Sequence, residues 1–385
     1  MRTTMILAIV LAAAISMSQQ EVIRIPGEVR FASAETQRTT YYDHQLTLSN
    51  QLPDGVRLPE WARQGCRYGR IKLGRPLQQW HFVISPETLR AVVDINRNND
   101  LTDDPVLFSA SQYSWAQTYA PIRLAVSLNG ALCSRYFSIH YTDGRAFLLS
   151  EDLRRFSGTV DGKPFQMMVV DGNADGAFDT PSQSRWKGDR CLISADGAEM
   201  PAQEAPVPRL YQVGDRYYRL RIAPDGSVCE LHPTDIQIAT VQVSPANVKL
   251  TLIGKKVGFW EAETTSGTLQ LPADDYNVQE YTVTTIDSLR RTWQLQVAGS
   301  EGLKIKADGS TEATLRLPES LVATLAYGSR VRKEALDIAL VLFPAGQHFQ
   351  RVVGINVNGD LPPPPTLRIV DRNGRTVRVE KFHYG

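Results

Sequence analysis

Short runs in which apolar and polar residues alternate recur along almost the whole chain. Examples are EVIRI, HQLTLSN, GRIKL, WHFVIS and RYFSIHYTDG, and turn-forming pairs such as NG, DG and GD separate many of them. Alternation with a period of two is typical of strands, because successive side chains in a strand point to opposite faces of a sheet. Short strands separated by regular turns favour sandwiches or barrels. We therefore expect an all-β fold of several small β-sandwich or immunoglobulin-like domains in tandem, with few helices.

Helical periodicity is rare in this sequence. The segment SPETLRAVV predicts a short helix that begins at Pro86, and LPESLVATL predicts another near Glu319. Both segments are short, so we expect neither helix to be an organising element of the fold.

Changes in sequence texture divide the chain into regions. After a leader at residues 1–18, we expect a β-rich region at 19–115 and a second one at 116–233. From there the alternation becomes almost continuous, which predicts a β-sandwich at 234–309. A further set of alternating runs predicts an immunoglobulin-like sandwich at 310–385.

The first residues, MRTTMILAIVLAAAISMSQQ, have the composition of a secretory signal peptide. Arg2 precedes an apolar run from Ile6 to Ile15, and the small residues Ser16 and Ser18 follow it. A membrane-spanning helix needs about 20 apolar residues, so this run is short for one. We expect an exported protein, periplasmic, cell-surface or extracellular, with no transmembrane segment after signal removal. An uncleaved N-terminal anchor is the alternative.

The charges of the chain are balanced. Lys and Arg total 42 against 41 Asp and Glu, and no basic cluster stands out. A protein that binds nucleic acid usually shows a basic face or stripe, so nucleic acid is excluded as an expected partner. The expected partner is an unknown protein or carbohydrate ligand.

The exported part contains all four cysteines, which are Cys66, Cys133, Cys191 and Cys229. Export permits oxidation, and pairs 66–133 and 191–229 would keep each bridge within one predicted region. Four buried free thiols are an equally good interpretation. The absence of a CxxC motif argues against a thioredoxin-type redox site.

The run VVDGNADGAFDTP at residues 169–181 carries oxygen-bearing side chains at alternate positions. Gly176 supplies a bend, and Phe178 is an apolar anchor. The candidate metal ligands are Asp171, Asn173, Asp175 and Asp179. The run resembles the D-x-N-x-D-G calcium loops of EF-hand and dockerin-type sites. It departs from them at the twelfth place, where Ser182 replaces the usual acid, and a strand-like segment precedes it. We therefore expect a loop on a β scaffold instead of an EF-hand.

A second run of this kind, VVDINRNNDLTDDP, covers residues 92–105. Asn99 stands where the glycine would be, and Asn tolerates the left-handed backbone that the bend requires. Leu101 matches Phe178 as the anchor, and Pro105 occupies the twelfth place. The candidate metal ligands are Asp94, Asn96, Asn98, Asp100, Asp103 and Asp104.

Two such runs, both entered by VVD, favour a structural Ca²⁺ ion in at least one loop. The closer match to the motif ranks the loop at 171–179 ahead of the other. The alternative is that both are polar turns whose Asp and Asn side chains bond their own backbone. Mg²⁺ is a poorer candidate, because it demands a stricter octahedron.

The chain as a whole resembles uncharacterised secreted bacterial multi-β-domain proteins. These combine a VDxNxNxDLTDDP run with later β domains that end in F-x-Y-G. The matching pieces are residues 92–105, 171–179 and Phe382–Gly385. The resemblance implies export and a β architecture. It does not indicate which activity, if any, the protein has.

No catalytic set emerges from the sequence. Ser184 and Lys187 form an S-x-x-K match, but its companion motifs are missing and its context is a loop. The six histidines are scattered, which gives zinc no support. We expect a binding or cell-surface and envelope interaction role. The alternative is a secreted hydrolase, acting on carbohydrate, with catalytic carboxylates between its domains.

Overall fold

The structure is a computed structural model of the chain. It describes residues 21–31, 44–109, 116–180, 187–195, 198–201, 204–298, 303–309, 312–317, 321–327, 338–344, 351–364, 366–370 and 372–381. The signal-peptide residues 1–18, Ser184, Glu319 and the tail Phe382–Gly385 lie outside the described residues.

The fold is all-β, as predicted. Apart from one 3₁₀ turn at Glu60–Ala62, the regular elements of the described residues are strands. The predicted helix at Pro86 is wrong. Residues 86–89 form a turn instead, because Ser85 and Arg90 pair across a hairpin and Leu89 takes a left-handed φ of 55° that a helix does not allow.

The chain divides into two compact units, residues 1–235 and 236–385. The strands of the first unit are β1 (Ile23–Phe31), β2 (Gln45–Leu46), β3 (Leu48–Ser49), β4 (Arg67–Leu73), β5 (Gln78–Ser85), β6 (Arg90–Val93), β7 (Leu107–Phe108), β8 (Ala116–Thr118), β9 (Ile122–Leu128), β10 (Ala131–Thr142), β11 (Arg145–Ser150), β12 (Asp152–Val160), β13 (Lys163–Val170), β14 (Arg190–Ala195), β15 (Ala205–Pro206), β16 (Leu210–Val213), β17 (Arg216–Ile222) and β18 (Val228–Thr234).

These strands form three sheets. One has the order β3-β4-β5-β6-β7, and a second has the order β2-β11-β10-β8, with β9 also paired to β10. The third has eight strands in the order β15-β14-β13-β12-β1-β18-β17-β16. Strand β1 joins strands β12 and β18, and β2 joins β11. Strands from the predicted regions 19–115 and 116–233 therefore share sheets.

The alternating sequence builds two large cores in this unit. On β9, the side chains of Ile122, Leu124, Val126 and Leu128 are buried, and the residues between them are more exposed. They join apolar side chains of β4 and β5 in a core that the two smaller sheets share. The eight-stranded sheet has its own core, to which both β14 and β17 contribute. The two Asp/Asn runs occupy the connections that follow β6 and β13.

The described residues of the second unit form four further sheets. Its strands are β19 (Ile238–Ser244), β20 (Val248–Gly254), β21 (Gly258–Thr264), β22 (Thr268–Pro272), β23 (Asp274–Ile286), β24 (Thr292–Ala298), β25 (Lys304–Ala307), β26 (Ala313–Arg316), β27 (Leu321–Tyr327), β28 (Ile338–Pro344), β29 (Arg351–Val357), β30 (Thr366–Val370) and β31 (Thr376–Lys381). The sheets have the orders β22-β19-β26, β21-β20-β23-β24-β29 with β25 on β23, β27-β28, and β30-β31. Strands β26 and β29 thus pair with strands of the range 234–309.

No helix among the described residues is long and apolar enough to cross a membrane.

Candidate metal centres

Each of the two Asp/Asn runs begins with a buried aspartate at the end of a strand. We call residues 94–104 the first loop and residues 171–180 the second loop. Asp94 follows β6 and Asp171 follows β13, and each is 1% exposed. A buried carboxylate is costly unless hydrogen bonds satisfy it, and both are satisfied by the backbone of their own loop. The N–H groups of Asn98 and Asn99 donate to the two oxygens of Asp94 at 3.0 Å.

The second loop repeats this arrangement. The N–H groups of Asp175 and Gly176 donate to Asp171 Oδ1 and Oδ2 at 3.1 and 3.0 Å. In both loops the third-place asparagine accepts a hydrogen bond from the N–H of the fifth residue, at 3.0 Å for Asn96 and 3.4 Å for Asn173. The two loops are therefore wound alike.

The fifth place completes the shared pattern. The Oδ1 atom of Asn98 accepts from the N–H two residues later at 2.7 Å, and Asp175 does the same at 2.9 Å. Left-handed residues allow this tight winding: Asn99 has a φ of 63° and Gly176 a φ of 92°. Asn99 thus performs the role of the glycine, as its conformational tolerance predicts.

The predicted apolar anchors are both buried. Leu101 is 1% exposed and packs in a small cluster with Cys66, Tyr68 and Val92. Phe178 is fully buried in the core of the eight-stranded sheet. Each loop is therefore held at two points: by its buried first aspartate and by its apolar anchor, which packs in a neighbouring cluster.

In the first loop, three of the predicted ligands converge. The Nδ2 groups of Asn96 and Asn98 donate to Asp103 Oδ2 at 3.3 and 2.9 Å. Asp100 takes a different direction, where its carboxylate contacts Arg57 at 2.5 Å. Among the described residues, Asp94, Asp103 and Asp104 make no ion pair. Within the described residues, the Arg57–Asp100 contact is therefore the ion pair of this loop, and the other three carboxylates have none.

Asp104 has an oxygen without a partner. Its Oδ1 atom accepts from the N–H of Ile95 at 3.1 Å. Its Oδ2 atom is sealed from solvent and has no hydrogen-bond partner within the described part of the chain. Burial raises the pKa of Asp104 to about 6, and the nearby negative charges of Asp94, Asp103 and Asp100 add to this rise.

Arginines of the protein lie against the acidic side chains of the second loop and partly offset their charge. Arg135, on β10, is fully buried, and its Nη2 atom lies 3.2 Å from Asp171 Oδ2. Its Nη1 atom donates to the carbonyl of Gly176, and its Nε atom lies 3.0 Å from Asp152. Burial still raises the pKa of Asp171 to about 7, although Arg135 counteracts the rise.

A second guanidinium, that of Arg75, covers the outer part of this loop. Its Nη1 atom lies 2.9 Å from a carboxylate oxygen of Asp179, and its Nη2 atom donates to Thr180 Oγ1 at 3.1 Å. The same Nη2 atom is 3.6 Å from Asp175 Oδ2. Thr180 Oγ1 in turn donates to Asp175 at 2.7 Å. Asn173 completes the group by donating to Asp175 at 3.2 Å.

Several residues that lie against the second loop have no signal in the sequence. They are Arg75, Arg135, Asp152 and Asp189. Asp189 accepts from the N–H of Thr180 at 2.7 Å, and burial raises its pKa well above its usual range, with Asp171 and Asp175 adding to the rise. These residues come from other strands and turns, so no local spacing marks them.

The described residues contain no group of three or more His, Cys, Asp or Glu side chains placed to hold a metal ion. The convergence in the first loop is of another kind, because it joins two asparagines to one aspartate. Calcium accepts amide and backbone carbonyl oxygens as well as carboxylates. The donor set of the first loop fits calcium on that ground, and the Asp104 oxygen that has no hydrogen-bond partner among the described residues could act as a further ligand.

All four cysteines are free thiols in the structure. Cys191 and Cys229 lie in the core of the eight-stranded sheet, and burial raises the pKa of each thiol to about 12. The structure thus contains four free thiols and not the 66–133 and 191–229 bridges, but Cys133 is half-buried and not buried as the second interpretation expected.

Comparison of the chain with protein-family models, with curated proteins and with solved structures finds no match.

Proposed function

We propose that this chain is an exported, multidomain β protein that binds a protein or carbohydrate ligand at the cell surface or in the envelope. We further propose that a structural Ca²⁺ ion binds the first loop and stabilises the first unit. The signal-peptide pattern of residues 1–18 supports export, and the resemblance to secreted bacterial multi-β-domain proteins supports export and a β architecture.

The observation that carries the calcium proposal is a difference between two loops of the same winding. In the second loop, guanidinium groups lie against the carboxylates of Asp171 and Asp179. In the first loop, Asp94, Asp103 and Asp104 make no ion pair within the described residues. A group of carboxylates held close together without a cation is electrostatically unfavourable, so a bound cation would stabilise the first loop.

The residues that would hold the ion are Asp94, Asn96, Asn98, Asp103 and Asp104. Each asparagine Oδ1 accepts one backbone hydrogen bond and has a second lone pair for an ion. Calcium takes about six to eight oxygens in flexible geometry, which suits this mixed set better than the strict octahedron of Mg²⁺. When bound, the ion would supply positive charge and a fixed loop conformation.

This proposal reverses the ranking of the two loops that is expected from sequence. The second loop matches the motif more closely, but Arg75 and Arg135 already provide its positive charge. We therefore place the ion in the first loop.

Thermal melting of the full chain with calcium and with chelator tests this proposal. An ion that binds only the folded state adds about 2.7 kcal/mol at a hundredfold excess over its dissociation constant. Chelator should lower the melting temperature of the wild-type protein, and Asp103→Asn should remove this response, because it deletes one charge at constant shape. Asp143→Asn, in the exposed turn between β10 and β11, is the control and should respond like wild type. If chelator does not change the melting temperature of the wild-type protein, the calcium proposal is wrong.

Export is tested separately. We expect the mature chain to begin near Met17 or Gln19, which N-terminal sequencing of periplasmic or medium fractions would detect. An intact Met1 on membrane-bound protein would contradict it. The immunoglobulin-like character of residues 310–385 is also a proposal, supported by the alternation of their sequence.

A further inference from the structure

Arg75 is presented to the second loop by a fixed backbone. It lies in the turn between β4 and β5, where its N–H donates to the carbonyl of Ser127 at 2.7 Å and its carbonyl accepts from Asn129 at 2.8 Å. The preceding residue, Gly74, donates to the backbone carbonyl of Asp175 at 3.1 Å. These bonds do not involve the Arg75 side chain, so a substitution there leaves the backbone connection between turn and loop in place.

The guanidinium of Arg75 lies where the acidic side chains of the second loop gather. It contacts Asp179 at 2.9 Å, Thr180 at 3.1 Å and Asp175 at 3.6 Å. Asp175 and Asp179 occupy the fifth and ninth places of the loop, from which calcium loops of this kind donate oxygens. Although burial lowers the pKa of Arg75, the hydrogen bond to Asp179 and the charges of Asp179, Asp175 and Asp189 raise it overall. The guanidinium therefore stays charged.

Arg135 neutralises the other end of the same loop. It bonds the first-place carboxylate of Asp171, the carbonyl of Gly176 and the carboxylate of Asp152. Its Cζ atom also lies 4.0 Å from the ring centroid of Phe178, the loop's apolar anchor. Carboxylates at the first, fifth and ninth places thus each have a guanidinium nearby, and these arginines come from outside the loop.

We propose that Arg75 is the built-in cation of the second loop, which it keeps folded without calcium and closed to calcium. Arg75, with Arg135, does for this loop what we have proposed an ion does for the first loop. The inference rests on the proposed function only in that loops of this winding can hold calcium. Of the two arginines, Arg75 is the replaceable one, because its side chain is 40% exposed and that of Arg135 is fully buried.

The test is to remove the guanidinium and look for a new calcium site. Arg75→Gln keeps a polar side chain of moderate length and deletes the charge, and Arg75→Lys is the matched control because it retains a cation. We expect titration calorimetry of the full-length protein to show one more calcium per chain in Arg75→Gln than in wild type. We expect no added uptake in Arg75→Lys. Adding Asp175→Asn to Arg75→Gln should abolish the gain, since it removes the fifth-place carboxylate.

The outcomes separate this inference from the calcium proposal for the first loop. Wild type that binds no calcium, with one ion in Arg75→Gln, would contradict the proposed function and support the built-in cation. Equal uptake by wild type and a folded Arg75→Gln would overturn the built-in cation, whatever the first loop does. If Arg75→Gln is unfolded without calcium, circular dichroism decides. Refolding by millimolar calcium supports the inference, and failure to refold, when Arg75→Lys is folded, overturns it.

Discussion

The first and second loops are both entered through the sequence VVD, whose aspartate is the first residue of the loop. Both follow strands of the same unit and are wound by the same backbone hydrogen bonds. In each, a buried aspartate binds the N–H groups of the fifth and sixth residues, and a left-handed residue makes the bend. The two loops differ in whether their carboxylates form ion pairs with arginine. Buried Arg135 and half-exposed Arg75 form ion pairs with the second loop, whereas Asp94, Asp103 and Asp104 of the first loop have no ion-pair partner among the described residues. Local sequence thus sets the winding, and residues distant along the chain decide whether arginines lie against the carboxylates of the loop.

The largest effect should come from removing the buried guanidinium of the second loop. Arg135→Ala leaves Asp171 buried without its arginine and Asp152 with Arg154 alone, which costs about 3–5 kcal/mol of unfolding free energy. Urea unfolding of the variant measures this loss. Arg123→Ala, an exposed arginine on the adjacent strand β9 that bonds Ser134, is the control and should change the free energy by less than about 1 kcal/mol. A loss for Arg135→Ala as small as that of the control would contradict the buried network.

Removing the anchor of the second loop should cost more unfolding free energy than removing the anchor of the first loop. Phe178→Ala should cost about 3–5 kcal/mol, and Leu101→Ala should cost about 2–5 kcal/mol. We expect Phe178 to be the more costly of the two, because it is fully buried in a large core and its ring lies beneath both Arg135 and Arg154. Chemical unfolding of both variants under chelator compares them. A larger loss for Leu101→Ala would show that the second loop is not the more rigidly integrated one.

The first loop should respond to pH in the absence of calcium. Asp104 has a pKa of about 6 in the folded protein, against about 4 in an unfolded chain. The folded state therefore binds the proton more tightly. The stability from this group is fully present below about pH 4 and is lost as the pH rises through about 6.

Melting temperatures in chelator, measured from pH 4 to pH 8, check this. The wild-type protein should lose stability relative to Asp104→Asn, which is neutral at every pH. Calcium should offset the loss above pH 6, where the carboxylate is ionised and free to bind the ion. A difference between the two proteins that does not vary with pH would contradict the assignment.

The smallest effect concerns the bend of the first loop. Asn99 has a φ of 63°, a conformation that costs a β-branched residue about 1–2 kcal/mol. Asn99→Val should lower the unfolding free energy by about that amount, and Asn99→Gly should change it by only a few tenths of a kcal/mol. Equal stability of the Val and Gly variants would show that the left-handed bend is not required.

What sequence could and could not predict follows the same division. The alternation of β9, the bends at Asn99 and Gly176 and the anchors Leu101 and Phe178 depend on near neighbours, and each was predicted. Arg75 lies 104 residues from Asp179 along the chain, and Arg135 lies 36 residues from Asp171. No spacing rule links residues so far apart, because only the pairing of the strands brings them together. From the sequence, the two loops can therefore be ranked only by their match to the motif, and the contribution of the arginines cannot be predicted.

Calcium titration calorimetry of the metal-free full-length protein tests the central claim most directly. Wild type and Asp175→Asn should each take up one ion, and Asp103→Asn should take up none, because we have proposed that the ion binds the first loop and that arginines take its place at the second loop. No uptake by wild type, or uptake that Asp175→Asn abolishes and Asp103→Asn preserves, would contradict the account.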